Sequence, residues 1–163
     1  MDTASLPAYL RALKDAAAGG AAPAANAMAG AFQDRVVSVT LRQTVHPPGL
    51  FWKAMAGRPP AYASGELARS VRMTPAKGSV LATAYVGAYA RYAAMQEFGG
   101  FARARTSAYM HWVNSRGSWW MKQVYVPAHP YFEPTVVQMI QDGSLSRAAA
   151  DAFYREIRGF FTA

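Results

Sequence analysis

Apolar residues follow two rhythms along this chain. Leu6, Tyr9, Leu10, Leu13 and Ala17 recur every three or four positions, which predicts a first amphipathic helix from about Pro7 to Ala18. Gly19 and Gly20 are expected to end it. A second helix is predicted from Pro23 to about Thr44, with Met28, Phe32, Arg35, Val36, Val39 and Leu41 near its buried side. Gly30 and the β-branched residues Val36, Val37, Val39 and Thr40 weaken that helix, the glycine by about 1 kcal/mol, so packing must hold it. His46-Pro47-Pro48-Gly49 stops it, because proline cannot donate the next hydrogen bonds. Residues 46–63 then read as a long loop carrying Phe51, Trp52, Arg58 and a second proline pair.

After Ser64 the period shortens to two. Residues 64–71 form a turn entering a short helix or directly a strand. Val71 and Met73 begin a hairpin that turns at 75–79 and returns over 80–87. Tyr89, Tyr92, Ala93 and Gln96 lie along one face of a short central helix running to Phe98 and ended by Gly99. Residues 100–107 read as a basic, small-residue loop with Arg103 and Arg105. AYMHWV and WWMKQVYV form a second, aromatic hairpin around NSRGS, which contains Arg116. Pro134 marks the first turn of a helix to about Gln141. Residues 142–144 break it, and Leu145, Ala149, Ala152, Phe153, Ile157, Phe160 and Phe161 share one face of a closing helix.

The expected architecture is α+β. A small antiparallel sheet built from two hairpins packs against N-terminal and C-terminal helices, with the short helix at its centre. Residues 1–163 are expected to form one domain, with 1–44 helical, 46–63 a long loop and 64–163 the α+β core.

Charge sharpens this picture. Residues 1–44 hold four basic and three acidic side chains, 45–126 hold ten against two, and 127–163 hold three against four. The formal net charge of +8 therefore lies in the middle of the chain. Such a surface suits nucleic acid or an acidic protein, or is merely solvated. Phe51 and Trp52 either anchor their loop on their own core or meet a neighbouring subunit. Tyr109, His111, Trp112, Trp119 and Trp120 interleave with Arg116 and Lys122 and can be read as a base-stacking platform. The favoured expectation is that alternate aromatics form the sheet core and the cations face solvent.

Candidate chemistry is sparse. The chain has no cysteine, which excludes disulfides and thiolate sites. His46, His111 and His129 are widely spaced and match no zinc motif, so no metal or cofactor is expected. Glu66 and Glu97 are the only acids of the central segment, and Glu97 is expected to form an ion pair with arginine. No nucleophile elbow, phosphate loop or dinucleotide fingerprint is present. An enzyme is not expected. Neither a signal peptide nor a membrane span is legible, which reads as a protein made and used in a cytoplasm.

Taken in order, these elements resemble the tail-completion, or tail-to-head joining, family of long-tailed bacteriophages. The carriers are Gly65-Glu66-Leu67-Ala68-Arg69-Ser70, a Tyr-Ala block from Tyr89 ending in Glu97-Phe98-Gly99, the aromatic hairpin, and Pro127-Ala128-His129-Pro130-Tyr131. The resemblance covers about Val36 to Met139, and His129 stands where the family usually carries arginine. It implies a non-enzymatic virion protein, assembled in the host cytoplasm, whose copies form a ring at the head-proximal end of the tail. Such rings are usually six-fold. The implied partners are further copies, the head-side connector, the tail tube or terminator, and double-stranded DNA passing through. Residues 46–63 and 100–118, with Phe51, Trp52, Arg58, Arg103, Arg105 and Arg116, are expected to carry the contacts. A tail terminator that caps tube polymerisation is the neighbouring alternative, and a small basic nucleic-acid-binding module is the alternative of a different class.

Overall fold

A computed structural model describes residues 5–42, 57–60, 64–78, 81–105, 107–114 and 117–162. The chain is α+β with short antiparallel strand pairs, as its patterning predicts. It divides into two compact units, one drawn from residues 1–34, 72–87 and 136–163, the other from 35–71 and 88–135.

The first unit is mainly helical. Helix α1 runs unbroken from Ser5 to Arg35, through the glycine pair and Pro23 that were expected to divide it. Tertiary packing explains the continuity at Gly20, which is buried. A Cβ there would lie 2.5 Å from Cδ2 of Phe153. The glycine is thus a notch for an aromatic ring, and the contact offsets its poor helix propensity of about 1 kcal/mol. Leu10 and Met28, predicted on the buried side, are exposed, and Ala29 is buried instead. Phe153 belongs to helix α5 (Ser144–Thr162), whose Leu145 and Ala152 are buried on the predicted face. Strands β1 (Val71–Thr74) and β2 (Tyr85–Ala88) pair with each other. The second of these is shorter than the predicted 80–87 run. The amide of Ala76, just after β1, is held by the Asn26 side chain of α1 at 2.6 Å.

The second unit begins with one wide helical turn. Residues Val36–Thr40 are π-helical, and the Leu41 amide reaches back five residues to the Val36 carbonyl at 2.9 Å. This widening puts Val36 and Leu41 on one buried face although they are five apart, which an α-helical period cannot do. Helix α2 (Glu66–Ser70) packs against this turn. Helix α3 spans only Ala93–Phe98, with Tyr92 at its N-cap and Tyr89 outside it, so the predicted four-residue face beginning at Tyr89 does not form. The end at Gly99 is as predicted.

Residues 100–107 do not form the simple loop expected. Gly100–Arg103 is strand β3, paired antiparallel with β6 (Gln123–Val126). Strands β4 (Met110–Asn114) and β5 (Gly117–Met121) form the expected hairpin. The run WWMKQVYV is therefore two strands rather than one. It breaks at Lys122, where the chain changes partner from β4 to β3. Helix α4 (Phe132–Gln141) follows, with Pro134 in its first turn and its end at Gln141, both as predicted.

Candidate interaction surface

The second unit contains a tight junction that sets the position of its strand pairs. Glu97, on the last turn of α3, is 8 % exposed and spreads its carboxylate over the start of α4. Oε2 accepts the amides of Tyr131 at 2.8 Å and Phe132 at 3.1 Å, and Oε1 accepts that of Glu133 at 3.1 Å. A helix start has amides without intrahelical partners and a positive dipole end, and a carboxylate satisfies both. Among the described residues this cap stands in place of the expected ion pair with arginine. An acid buried at a helix start satisfies its lone pairs on amides and needs no cation.

Neighbouring groups tighten the junction. The His129 amide donates to the Gln96 carbonyl at 2.6 Å. Its ring Nδ1 lies 3.1 Å from the Arg58 carbonyl, and because a carbonyl only accepts, Nδ1 carries the proton. Beside it, the Gly57 amide donates to the Ala128 carbonyl at 3.0 Å. Gly99 has φ +69, and a Cβ there would meet the Ala128 nitrogen at 2.8 Å. Thr135 donates its single hydroxyl proton to the Tyr131 carbonyl at 2.6 Å, so in its 2.6 Å contact with Thr40 the Thr40 hydroxyl is the donor. Thr40 thereby joins the wide turn to α4. Tyr131 is almost wholly buried, and burial first, then the Glu97 charge, holds its phenol well above the ordinary value near 10. Tyr92 is raised less, by burial and then by Glu66.

Gly65, Leu67 and Ser70 also have structural work. Gly65 takes a left-handed conformation, φ 73, at the N-cap of α2, and Leu67 is buried. The Ser70 hydroxyl donates to the Leu67 carbonyl at 2.7 Å, while the Ser70 carbonyl accepts the Tyr89 amide at 3.1 Å. The ring of Tyr89 remains exposed.

The outward side chains are different in kind. Along β3 and β6 the small or aliphatic Gly100, Ala102, Val124 and Val126 are partly buried, while Phe101, Arg103, Gln123 and Tyr125 are exposed. Phe101 stands opposite Tyr125 with ring centroids 5.3 Å apart, edge to face. Arg103 Nε donates to Gln123 Oε1 at 3.2 Å. In the β4–β5 ribbon Trp120 is 66 % exposed and stacks at 4.4 Å on His111, whose Nε2 also meets the Ser118 hydroxyl. Trp119, on the opposite face, is 39 % exposed. Lys122 Nζ sits 5.9 Å from the Tyr109 ring centre. The expectation that these aromatics fill a sheet core fails for Tyr109, Trp119 and Trp120, whose side chains are exposed.

The residues singled out from sequence thus separate into two groups. Glu97, Gly99, Pro127, Pro130 and Tyr131 belong to the junction or its flanking segment, whereas Phe98, Arg103 and Arg105 face outward. Arg58 is exposed but contributes its backbone carbonyl to the junction. Phe51, Trp52, Arg116 and most of the 46–63 loop lie outside the described residues. Sequence reasoning missed Phe101 and Tyr125. The available signal was the alternation G-F-A-R, in which the large residue is the outward one.

Among the described residues, no three or more His, Cys, Asp or Glu side chains gather to hold a metal ion. Among them, too, no helix is long and apolar enough to cross a membrane. Comparison with known protein families, curated proteins and solved structures finds no match to this chain.

Proposed function

We propose that this chain is a non-enzymatic structural protein of a long-tailed phage virion. Its copies form a ring, six-fold by analogy with the family it resembles, at the head-proximal end of the tail and join it to the head connector. The observation that carries this reading is the closure of two resemblance motifs on each other. Glu97 of the Glu-Phe-Gly motif holds the Tyr131 amide of the Pro-x-x-Pro-Tyr motif at 2.8 Å. The resemblance therefore rests on residues that build one substructure rather than on scattered matches. Exposed aromatics and arginine on the strand pairs further suit a protein that works in contact with others.

The basic middle of the chain docks on a neighbouring protein ring, where electrostatics supply orientation and association rate. A tight basic sleeve would instead retard DNA that must leave. The exposed Trp120 and its neighbour Lys122 keep one second reading in view, a small basic nucleic-acid-binding module.

Disrupting the gene and counting particles by negative-stain electron microscopy tests the proposal. DNA-filled heads beside separate tails of normal length are expected. Overlong tails would move the role to tube terminator, and normal infectious virions would overturn the structural role.

A further inference from the structure

The paired strands β3 and β6 have their amphipathic pattern reversed in size. Small residues point inward and Phe101 and Tyr125 point to solvent, where a one-sided antiparallel pair ordinarily carries polar groups. The β4–β5 ribbon leaves Trp120 66 % exposed. A two-stranded ribbon is marginal in water without something against it. The charge is as one-sided as the burial. From Phe98 to Phe132 the chain has no carboxylate, while Arg103, Arg105, Arg116 and Lys122 fall within it. Arg103 lies beside the aromatic pair and Lys122 beside Tyr109.

We infer that the outward faces of these two strand pairs form a docking surface for a different protein whose contact patch is apolar and rimmed by carboxylates. Nucleic acid fits less well. Binding without sequence preference stacks bases on open ring faces. Here the ring faces are partly committed, since Phe101 meets Tyr125 edge to face and His111 covers one face of Trp120. The same surface of a second copy fits worst, because the exposed Arg103, Arg105 and Lys122 would meet cations and residues 98–132 offer them no acid. Trp, Tyr and Arg are the side chains that dominate protein interfaces, and a carboxylate rim supplies what this surface lacks. In the proposed joining role this surface meets the neighbouring ring, and to that extent the inference rests on that role.

The test places photoreactive benzoylphenylalanine at position 125 in cells producing the full chain, and in a second variant at position 120. Cross-linked peptides are identified by mass spectrometry, and circular dichroism confirms the fold of each variant. The expected product is a peptide of another protein carrying an excess of Asp and Glu. Its yield should drop about tenfold with Arg103→Glu and stay within about twofold with Arg103→Lys. Cross-links to a second copy of this chain, to nucleic acid, to a peptide without that acidic excess, or to nothing from either position would overturn the inference. The two proposals fail separately. An acidic partner absent from virions keeps the surface and removes the joining role, whereas separate heads and tails on gene disruption without such a cross-link keep the role and remove the surface.

Discussion

The Glu97 carboxylate holds the Tyr131 amide at 2.8 Å across 34 residues of chain, so the start of one helix is satisfied by the end of another. Removing that acceptor leaves three amides at the start of α4, those of Tyr131, Phe132 and Glu133, short of a partner. Glu97→Gln should lower stability by about 2 kcal/mol and Glu97→Ala by roughly 3, since hydrogen bonds to a charged group are worth about 1.5–3 kcal/mol each and water recovers part of the loss. The urea midpoint reads this directly. An exposed acid such as Glu156, changed to Gln, should move it by no more than about 0.5 kcal/mol.

Tyr131 predicts an alkaline limit. Its folded phenol is raised above the ordinary value near 10 by burial and by Glu97, so the folded state favours the protonated ring. The group's contribution is complete below about pH 10 and declines as pH climbs from there toward the folded value. Urea midpoints should therefore fall beyond pH 10 in the natural chain and fall less steeply in Tyr131→Phe. Some slope should remain, because Tyr92 is raised in the same direction.

The adjacent glycines of α1 should respond oppositely to alanine. A Cβ at Gly19 meets nothing within 4 Å, so Gly19→Ala should stabilise by up to about 1 kcal/mol. At Gly20 the new methyl enters the Phe153 ring, and overpacking should cost about 1–3 kcal/mol. Thermal midpoints of the two variants should move apart, and adding Phe153→Leu should recover part of the Gly20→Ala loss.

Gly99 should tolerate no side chain. Its φ of +69 and the Ala128 nitrogen 2.8 Å from a built Cβ combine backbone strain with a backbone clash. Gly99→Ala is expected to cost roughly 3 kcal/mol or more. Gly100→Ala, where a Cβ meets nothing within 4 Å, should cost less through its φ of +144 alone. Chemical denaturation of the pair separates the two effects.

These features differ in how far they were legible beforehand. Periodicity located α4 and α5 because their apolar stripes and their proline and glycine boundaries are local signals. It failed at Gly19, Gly20 and Pro23, where local propensity argues for a break, and at Gly20 a long-range contact with Phe153 outweighs it. The β3 strand was hidden because its partner lies about 20 residues away, beyond a hairpin that pairs only with itself. Period two says which residues share a face but not which face turns inward, and Phe101 and Tyr125 take the outward side. For Glu97, composition suggested arginine as partner, whereas the helix start that claims it becomes visible only once residues 97 and 131 are brought together.

The two acids that bound the carboxylate-free stretch also meet each other, since the Glu133 amide donates to Glu97 at 3.1 Å. Both outward strand pairs lie between them, in one stretch of sequence whose two ends are tied together. Such a stretch is a cassette. Its sequence can be exchanged, lengthened or redesigned for another partner while Glu97 keeps the seam closed, because the loop-closure penalty grows only by about 0.6 kcal/mol per doubling of length. In the proposed docking role, contact specificity can therefore evolve faster than the fold that displays it.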